Sequence, residues 1–203
     1  MEEHATKSAI VGMGFEGPGA QNVDEFWKLL ENGENHITDI PTDRWNNTAF
    51  YSPDPDKPGK SYVTKAGFVS RPFDFDNKFF NINDTEARSM DPQQRFALRC
   101  AYMAMEDAGL TREMLAKSRT GVYMGSMNQD FSGMYAGPSP AINNYTVTGV
   151  SNTIIASRIA FFFDLRGPAM VIDTGCSSAL VAIHQAILGL RNGKLGRSFR
   201  LLF

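Results

Sequence analysis

The sequence predicts an α/β protein, and three observations carry that reading. Short β-prone runs alternate with longer apolar-periodic segments: Thr120–Ser126 (TGVYMGS), Val150–Phe163, Ala169–Asp173 and Ser177–Leu190 read strand, helix, strand, helix. The punctuation falls between them, with Arg166-Gly167-Pro168 as a turn ahead of the second strand. The bulk composition is that of a folded chain: 203 residues, 42% hydrophobic and 21% charged, enough for one core.

In chain order, Ser8–Val11 (SAIV) reads as a first short strand that ends in glycines. The following GMGFEGPG contains Gly12, Gly14 and Gly17 in a G-x-G-x-x-G spacing. A dinucleotide fingerprint must open directly into a helix that receives the pyrophosphate, and Pro18-Gly19 come first, so the run reads as a tight turn and no nucleotide site is expected. Asn22–Glu31 reads as a helix, with Asn22 as cap, Glu25 three residues on as in a capping box, an apolar face of Phe26, Leu29 and Leu30, and Gly33 as terminator. Residues 38–72 read as a long irregular region, where Pro53, Pro55 and Pro58 forbid a regular element. A loop of that length is commonly functional or packed over something.

Asp91–Ala108 is the clearest helix. Asp91 caps it, Pro92 takes the first helical position, Gln94 suits a box-like cap, and Gly109 closes it. Phe96, Cys100 and Met103 form an i, i+4, i+7 stripe, which makes Cys100 a small core hydrophobe. In Val150–Phe163 the core positions are Ile155, Ile159 and Phe162. Ser177–Leu190 is apolar nearly all round, through Leu180, Val181, Ile183, Ile187 and Leu188, and is expected at the centre of the fold.

Composition also limits function. The net charge of −2 gives no footprint for nucleic acid. No apolar run reaches the roughly 18 residues of a membrane helix, and MEEHATKSAIVG has acids where a secretion signal has bases. Two cysteines, Cys100 and Cys176, suit a reducing compartment and a cytoplasmic location. With three histidines, His4, His36 and His184, no metal-ligand spacing exists, and no metal or bound cofactor is expected.

The stretch Val171–His184 (VIDTGCSSALVAIH) concentrates the chemistry. Cys176 falls where a strand turns into a helix, and the free N–H groups and positive dipole end of a helix N-terminus favour thiolate over thiol. Gly175, Ser177 and Ser178 are small enough to admit a substrate. The residues alone leave two readings open, a nucleophile and a buried small hydrophobe. His184 is no partner for the thiol. Eight residues along one helix is about 12 Å, whereas a general base must lie within about 3 Å or one water. His184 is expected to be a core histidine with its nitrogens satisfied locally, and His36 a surface residue after the first helix.

DTGCSSALVAIH resembles the nucleophile motif of β-ketoacyl synthases, the condensing enzymes of fatty acid and polyketide synthesis. SAIVGMG, NVDEFWKLLENG, PTDRWN, Phe79–Arg95, GVYMGS and NTIIASRIAFFFDLRGPA are similar to that family in the same order, from about Lys7 to Asn192. The PDPDKPGKSYVTKAGFV loop is more like type I polyketide synthases than animal fatty acid synthase. The resemblance implies the N-terminal half of a thiolase-like fold, with residues 1–6 a tail, 7–195 the family's N-terminal domain, and 196–203 a divergent tail.

It further implies that Cys176 accepts an acyl chain as a thioester from the phosphopantetheine arm of an acyl carrier protein, with its own backbone N–H as an oxyanion donor. The carbanion left when a malonyl-type extender loses CO₂ would then attack that thioester. The full-length family implies a homodimer. Two departures stand out. Gly175 occupies a position where family members often have Ala, and the family's two catalytic histidines lie downstream of Phe203. The expectation is therefore that these 203 residues alone do not condense. The alternative is a non-catalytic fragment that binds a full-length ketosynthase. Gly193–Phe203 (GKLGRSFRLLF) does not continue as the family does.

Overall fold

The computed structural model describes residues 8–135 and 142–191. Their contacts fall into two compact units: residues 15–71, and the segment up to Gly14 together with the chain from Pro72 onward.

In the 15–71 unit the second half of the glycine-rich run is a turn, with Gly17 and Ala20 exchanging backbone hydrogen bonds of 2.8 and 3.2 Å. Helix α1 (Val23–Asn32) starts at its expected cap: Asn22 Oδ1 accepts from the Glu25 N–H at 2.8 Å. The Glu25 carboxylate reaches back one residue further than in a standard box and accepts from the Gln21 N–H at 2.8 Å. Gly33 ends the helix in the left-handed conformation at φ 62°. Phe26 stacks on Phe15 with ring centroids 4.2 Å apart.

The 38–72 region is more ordered than its prolines suggest. Strands β1 (Ile37–Asp39) and β2 (Lys65–Gly67) pair antiparallel, and α2 (Asn47–Phe50) is one helical turn between them. Pro53, Pro55 and Pro58 fall where no regular element forms, so the proline rule holds locally while the flanking residues pair across it.

In the other unit, Ser8–Val11 is not a strand. Ile10 and Val11 are exposed, and it is the glycines that follow them that lie against a helix. A Cβ on Gly12 or Gly14 would collide with the Ala104 and Cys100 carbonyls, and Met13 N–H donates to Asp107 Oδ2 at 2.8 Å. The glycines there serve close approach rather than a turn.

Helix α3 (Asp84–Ser89) leads into α4 (Pro92–Asp107), where Asp91 accepts from the Gln93 N–H at 2.8 Å and Pro92 occupies the first turn. The expected stripe is off in phase. Leu98, Ala101 and Met105 are buried along with Cys100, whereas Phe96 and Met103 are only half-buried on the flank. Gln94 does not complete a cap. Its side chain is 1% exposed and donates to the carbonyls of Thr148, Gly149 and Ser151 at 2.9, 2.8 and 3.2 Å. Its Oε1 accepts from Arg158 Nε at 2.6 Å, and Arg158 pairs with Glu86 at 2.6 Å.

Helix α5 (Arg112–Leu115) precedes strand β3 (Val122–Gly125). The helix expected over 150–163 is present as α7 (Thr153–Phe162), starting three residues later, and a separate short helix, α6 (Thr146–Val150), precedes it. The break is at Ser151, whose backbone is extended at φ −82° and ψ 123°. Gln94 adds a second donor to the Gly149 and Ser151 carbonyls beside the break, which also accept from the Asp91 and Ile154 N–H groups. Ile155, Ile159 and Phe162 are buried as expected.

Strand β4 (Ala169–Ile172) pairs parallel with β3, Val122 opposite Ala169 and Gly125 opposite Ile172, and α8 (Ser178–Arg191) follows. The β3–α7–β4 crossover and the β4–α8 step confirm the α/β reading. Val122 and Met124 face the main core with Leu98, Ala101, Ile155 and Ile159. Tyr123, of opposite parity, faces Ala182 and Ala186 on α8. The sheet therefore lies between α7 and α8.

Helix α8 is not buried all round. Ser178, Ala182 and Ala186, at i, i+4 and i+8, are buried, whereas Leu180 is 71% exposed. Two strands offer one narrow strip, and the small residues let the helix settle closely on it. His184 is exposed, so it is not a core histidine. His36 is half-buried and meets Glu34 at 2.9 Å. His4 and the divergent tail lie outside the described residues.

Candidate functional site

Cys176 lies four residues beyond the end of β4 and two before the start of α8, and it is exposed. That exposure removes the buried-hydrophobe reading for it. Cys100 is buried, as its helix phase requires.

The turn carrying Cys176 is built from short polar side chains. Asp173 Oδ1 accepts from the Gly175 N–H at 3.0 Å. Ser178 Oγ accepts from the Thr174 N–H at 2.9 Å and donates to the Gly175 carbonyl at 2.6 Å. Ser177 Oγ donates to the Thr174 carbonyl at 2.9 Å, and its hydroxyl meets that of Thr174 at 2.8 Å. Asp173 and Thr174 thus hold the turn, with Ser177 and Ser178 as further braces that composition alone did not assign. Gly175 sits at φ +65°, the left-handed region, with nothing within 4 Å of where a Cβ would be.

A second support comes from β3. A Cβ on Gly125 would lie 2.6 Å from Ala179 N and 2.7 Å from the Ser178 carbonyl carbon. The strand end is therefore pressed against the first turn of α8. The next residue, Ser126, donates its N–H to the Ile172 carbonyl at 3.2 Å, immediately before the turn begins. Beneath α8, burial pushes the Tyr123 hydroxyl above the usual tyrosine range and keeps it neutral.

His184 is six residues into α8, about 9 Å along its axis at the usual rise. It is no general base for Cys176. Among the described residues no group of three or more His, Cys, Asp and Glu is gathered as a metal site, and no helix is long and apolar enough to cross a membrane. A cleft lined by Phe80, Ile82, Leu98, Ile154 and Arg158 flanks α7 and does not include Cys176.

Comparison with known proteins now identifies the family. The family model for the β-ketoacyl synthase N-terminal domain matches residues 6–196. The chain belongs to the β-ketoacyl synthase family. It is 40% identical over 205 residues to polyketide synthase PksL of Bacillus subtilis, covering 98% of this chain and 4% of that one. It is 43% identical over 188 residues to erythronolide synthase EryA2 of Saccharopolyspora erythraea, covering 92% of this chain and 5% of that one. Among solved structures it matches the oxazolomycin ketosynthase domain OzmH KS7 of Streptomyces albus, with a TM-score of 0.84 at 36% identity, over 93% of this chain and 33% of that one. The relatives are type I polyketide synthases, and the fold is the N-terminal part of the thiolase-like ketosynthase architecture. The chain spans about a third of that solved domain and about a twentieth of the two curated relatives.

Proposed function

We propose that this chain carries the acyl-accepting half of a polyketide-type ketosynthase, with Cys176 as nucleophile. The observation that carries the reading is an exposed thiol on a braced strand–turn–helix, at the carboxyl ends of two parallel strands, within a β-ketoacyl synthase domain.

The Cys176 sulfur, as thiolate, attacks the carbonyl carbon of an acyl thioester. The carbonyl oxygen becomes an oxyanion, for which the Cys176 backbone N–H is a donor. Collapse re-forms the carbonyl, breaks the bond to the departing thiol, and leaves the acyl group on Cys176. The departing thiolate takes up a proton. A thiol suits this relay because it is both a good nucleophile and a good leaving group.

The donor is the phosphopantetheine arm of an acyl carrier protein, and the later nucleophile is the carbanion of a malonyl-type extender after loss of CO₂. Family membership supports these partners, a homodimeric assembly and a cytoplasmic location as parts of the same reading. Within these 203 residues the reading stops at acyl transfer, because His4, His36 and His184 match neither of the family's histidine motifs. Condensation is assigned only together with the histidine-bearing half.

A second reading has one observation in its favour. Leu180 on α8 is 71% exposed, as on a fragment that docks on a full-length ketosynthase. Intact-mass measurement after incubation with an acyl thioester tests the first reading: one acyl group adds to the parent and none to Cys176→Ala. A soluble, folded chain without that adduct refutes it. Co-elution of such a chain with a full-length ketosynthase supports the second reading.

A further inference from the structure

We propose that Gln93 is a positioning residue for the Cys176 turn. The inference rests on the acyl-transfer reading for its kinetic consequence, but the geometry behind it is independent of that reading.

Gln93 is the second residue of α4, far from Cys176 in sequence, and its side chain uses both ends. Its Oε1 accepts from the Ser126 hydroxyl at 2.9 Å. Its Nε2 donates to the Asn128 carbonyl at 3.0 Å, and reaches Asp91 Oδ2 at 3.3 Å. Asn152, just ahead of α7, donates to the same Asn128 carbonyl at 3.1 Å. The chain leaving β3 is thus held from α4 and from α7.

Residues 125 and 126 in turn hold both ends of the nucleophile turn. The Ser126 N–H binds the Ile172 carbonyl one residue before Asp173, and Gly125 lies against the Ser178–Ala179 backbone two residues after Cys176. A displacement of Ser126 therefore reaches Cys176 from either side. Gln93 is the one side chain among the described residues that ties α4 to the Ser126 hydroxyl and the Asn128 carbonyl together. It acts through β3 and does not touch the reacting atoms.

The test compares the parent chain with Gln93→Ala and Ser126→Ala, which cut the same link from opposite sides. Acylation of Cys176 by an acyl thioester is expected to slow about ten- to a hundredfold in both, since small misplacements of reacting groups cost on that order. Amide exchange at Thr174 and Gly175 is expected to quicken, while the melting temperature stays near the parent's. Gln93→Glu is the rescue. Protonated, its carboxyl can accept from Ser126 and donate to Asn128. Ionised, it loses the donor and faces the carboxylate of Asp91, with Asp130 as the other acid acting there. Its rate relative to the parent at the same pH is expected to fall as pH rises.

Rates and turn exchange within twofold of the parent in both alanine variants would overturn the proposal. So would a loss of rate matched by a large drop in melting temperature and by faster exchange throughout α4, which would make Gln93 a general stabiliser. If the parent itself takes no acyl group, the acyl-transfer reading fails. Turn exchange then decides: faster exchange confined to residues 174–178 supports the positioning role, and unchanged exchange overturns it.

Discussion

Gly125→Ala is the substitution that most directly tests how the nucleophile turn is supported. The added Cβ would lie 2.6 Å from Ala179 N, 2.7 Å from the Ser178 carbonyl carbon and 2.9 Å from Ala179 Cα. All three are backbone atoms, so no side chain can swing aside. Ordinary contact needs nearly 1 Å more, and β3 and α8 must separate by about that much. Overpacking of this kind costs about 1–3 kcal/mol. Moving Ser178 also strains the bonds its hydroxyl makes to Thr174 and Gly175, each of which contributes about 0.5–1.5 kcal/mol. The expected loss is about 2–4 kcal/mol in denaturant unfolding, with slower acylation of Cys176. Gly175→Ala is the control. It has open space and only the left-handed backbone against it, a cost of about 1–2 kcal/mol. If Gly125→Ala unfolds within about 0.5 kcal/mol of the parent, or costs less than Gly175→Ala, β3 does not press on α8 and the argument for support from that side is wrong.

Iodoacetamide is expected to alkylate Cys176 in the native chain, with Cys100 reacting only once denaturant opens the core; peptide mapping that finds Cys100 modified first would contradict the burial assigned to it. Gln94→Ala leaves three backbone carbonyls and Arg158 without their shared partner, and is expected to cost about 2–4 kcal/mol, read by chemical denaturation. Burial holds the Asp91 carboxyl above its usual value of about 3.8. The folded state therefore keeps that proton to higher pH than the unfolded state. The stability it contributes is full below the unfolded value and is lost as pH rises through the folded one. Denaturation of the parent and of Asp91→Asn across the carboxylate range should show this fall in the parent relative to the variant; parallel curves would refute the shift.

The parts of the fold visible in the sequence are those fixed by local chemistry. Asn22 and Asp91 as caps, Gly33 as terminator and the β3–α7–β4–α8 alternation each need only a few neighbouring residues to declare themselves. The placement of Cys176 between a strand and a helix is legible in the same way, whereas its role as nucleophile rests on the family resemblance of DTGCSSALVAIH. The parts missed depend on partners distant in sequence. Gln94 has the right type and place for a cap, but its acceptors lie 54 to 57 residues away at a helix break. Ser8–Val11 has strand composition, but among the described residues no strand pairs with it, and its glycines fit the α4 backbone instead. The apolar content of α8 by itself implies burial on every side. Burial requires a surface to cover it, and β3 covers one stripe.

The same reasoning explains why the site lies where it does. Both strands run in one direction, so Gly125 and Ile172 end at the same edge of the sheet. Backbone amides and carbonyls beyond that edge have lost their ladder partners and must be satisfied otherwise. Asp173, Thr174, Ser177 and Ser178 do so beyond β4, and Gln93 and Asn152 do so beyond β3. Every one of these braces is a short polar side chain or an amide, and none is a charge paired with the thiol. The turn is thus braced by several hydrogen bonds while Cys176 stays exposed. A thiol held in this way needs no imidazole to keep its position. Under the proposed reading, acyl transfer and condensation separate as chemical steps: the first would draw on this turn, and the second on the family's histidine-bearing half.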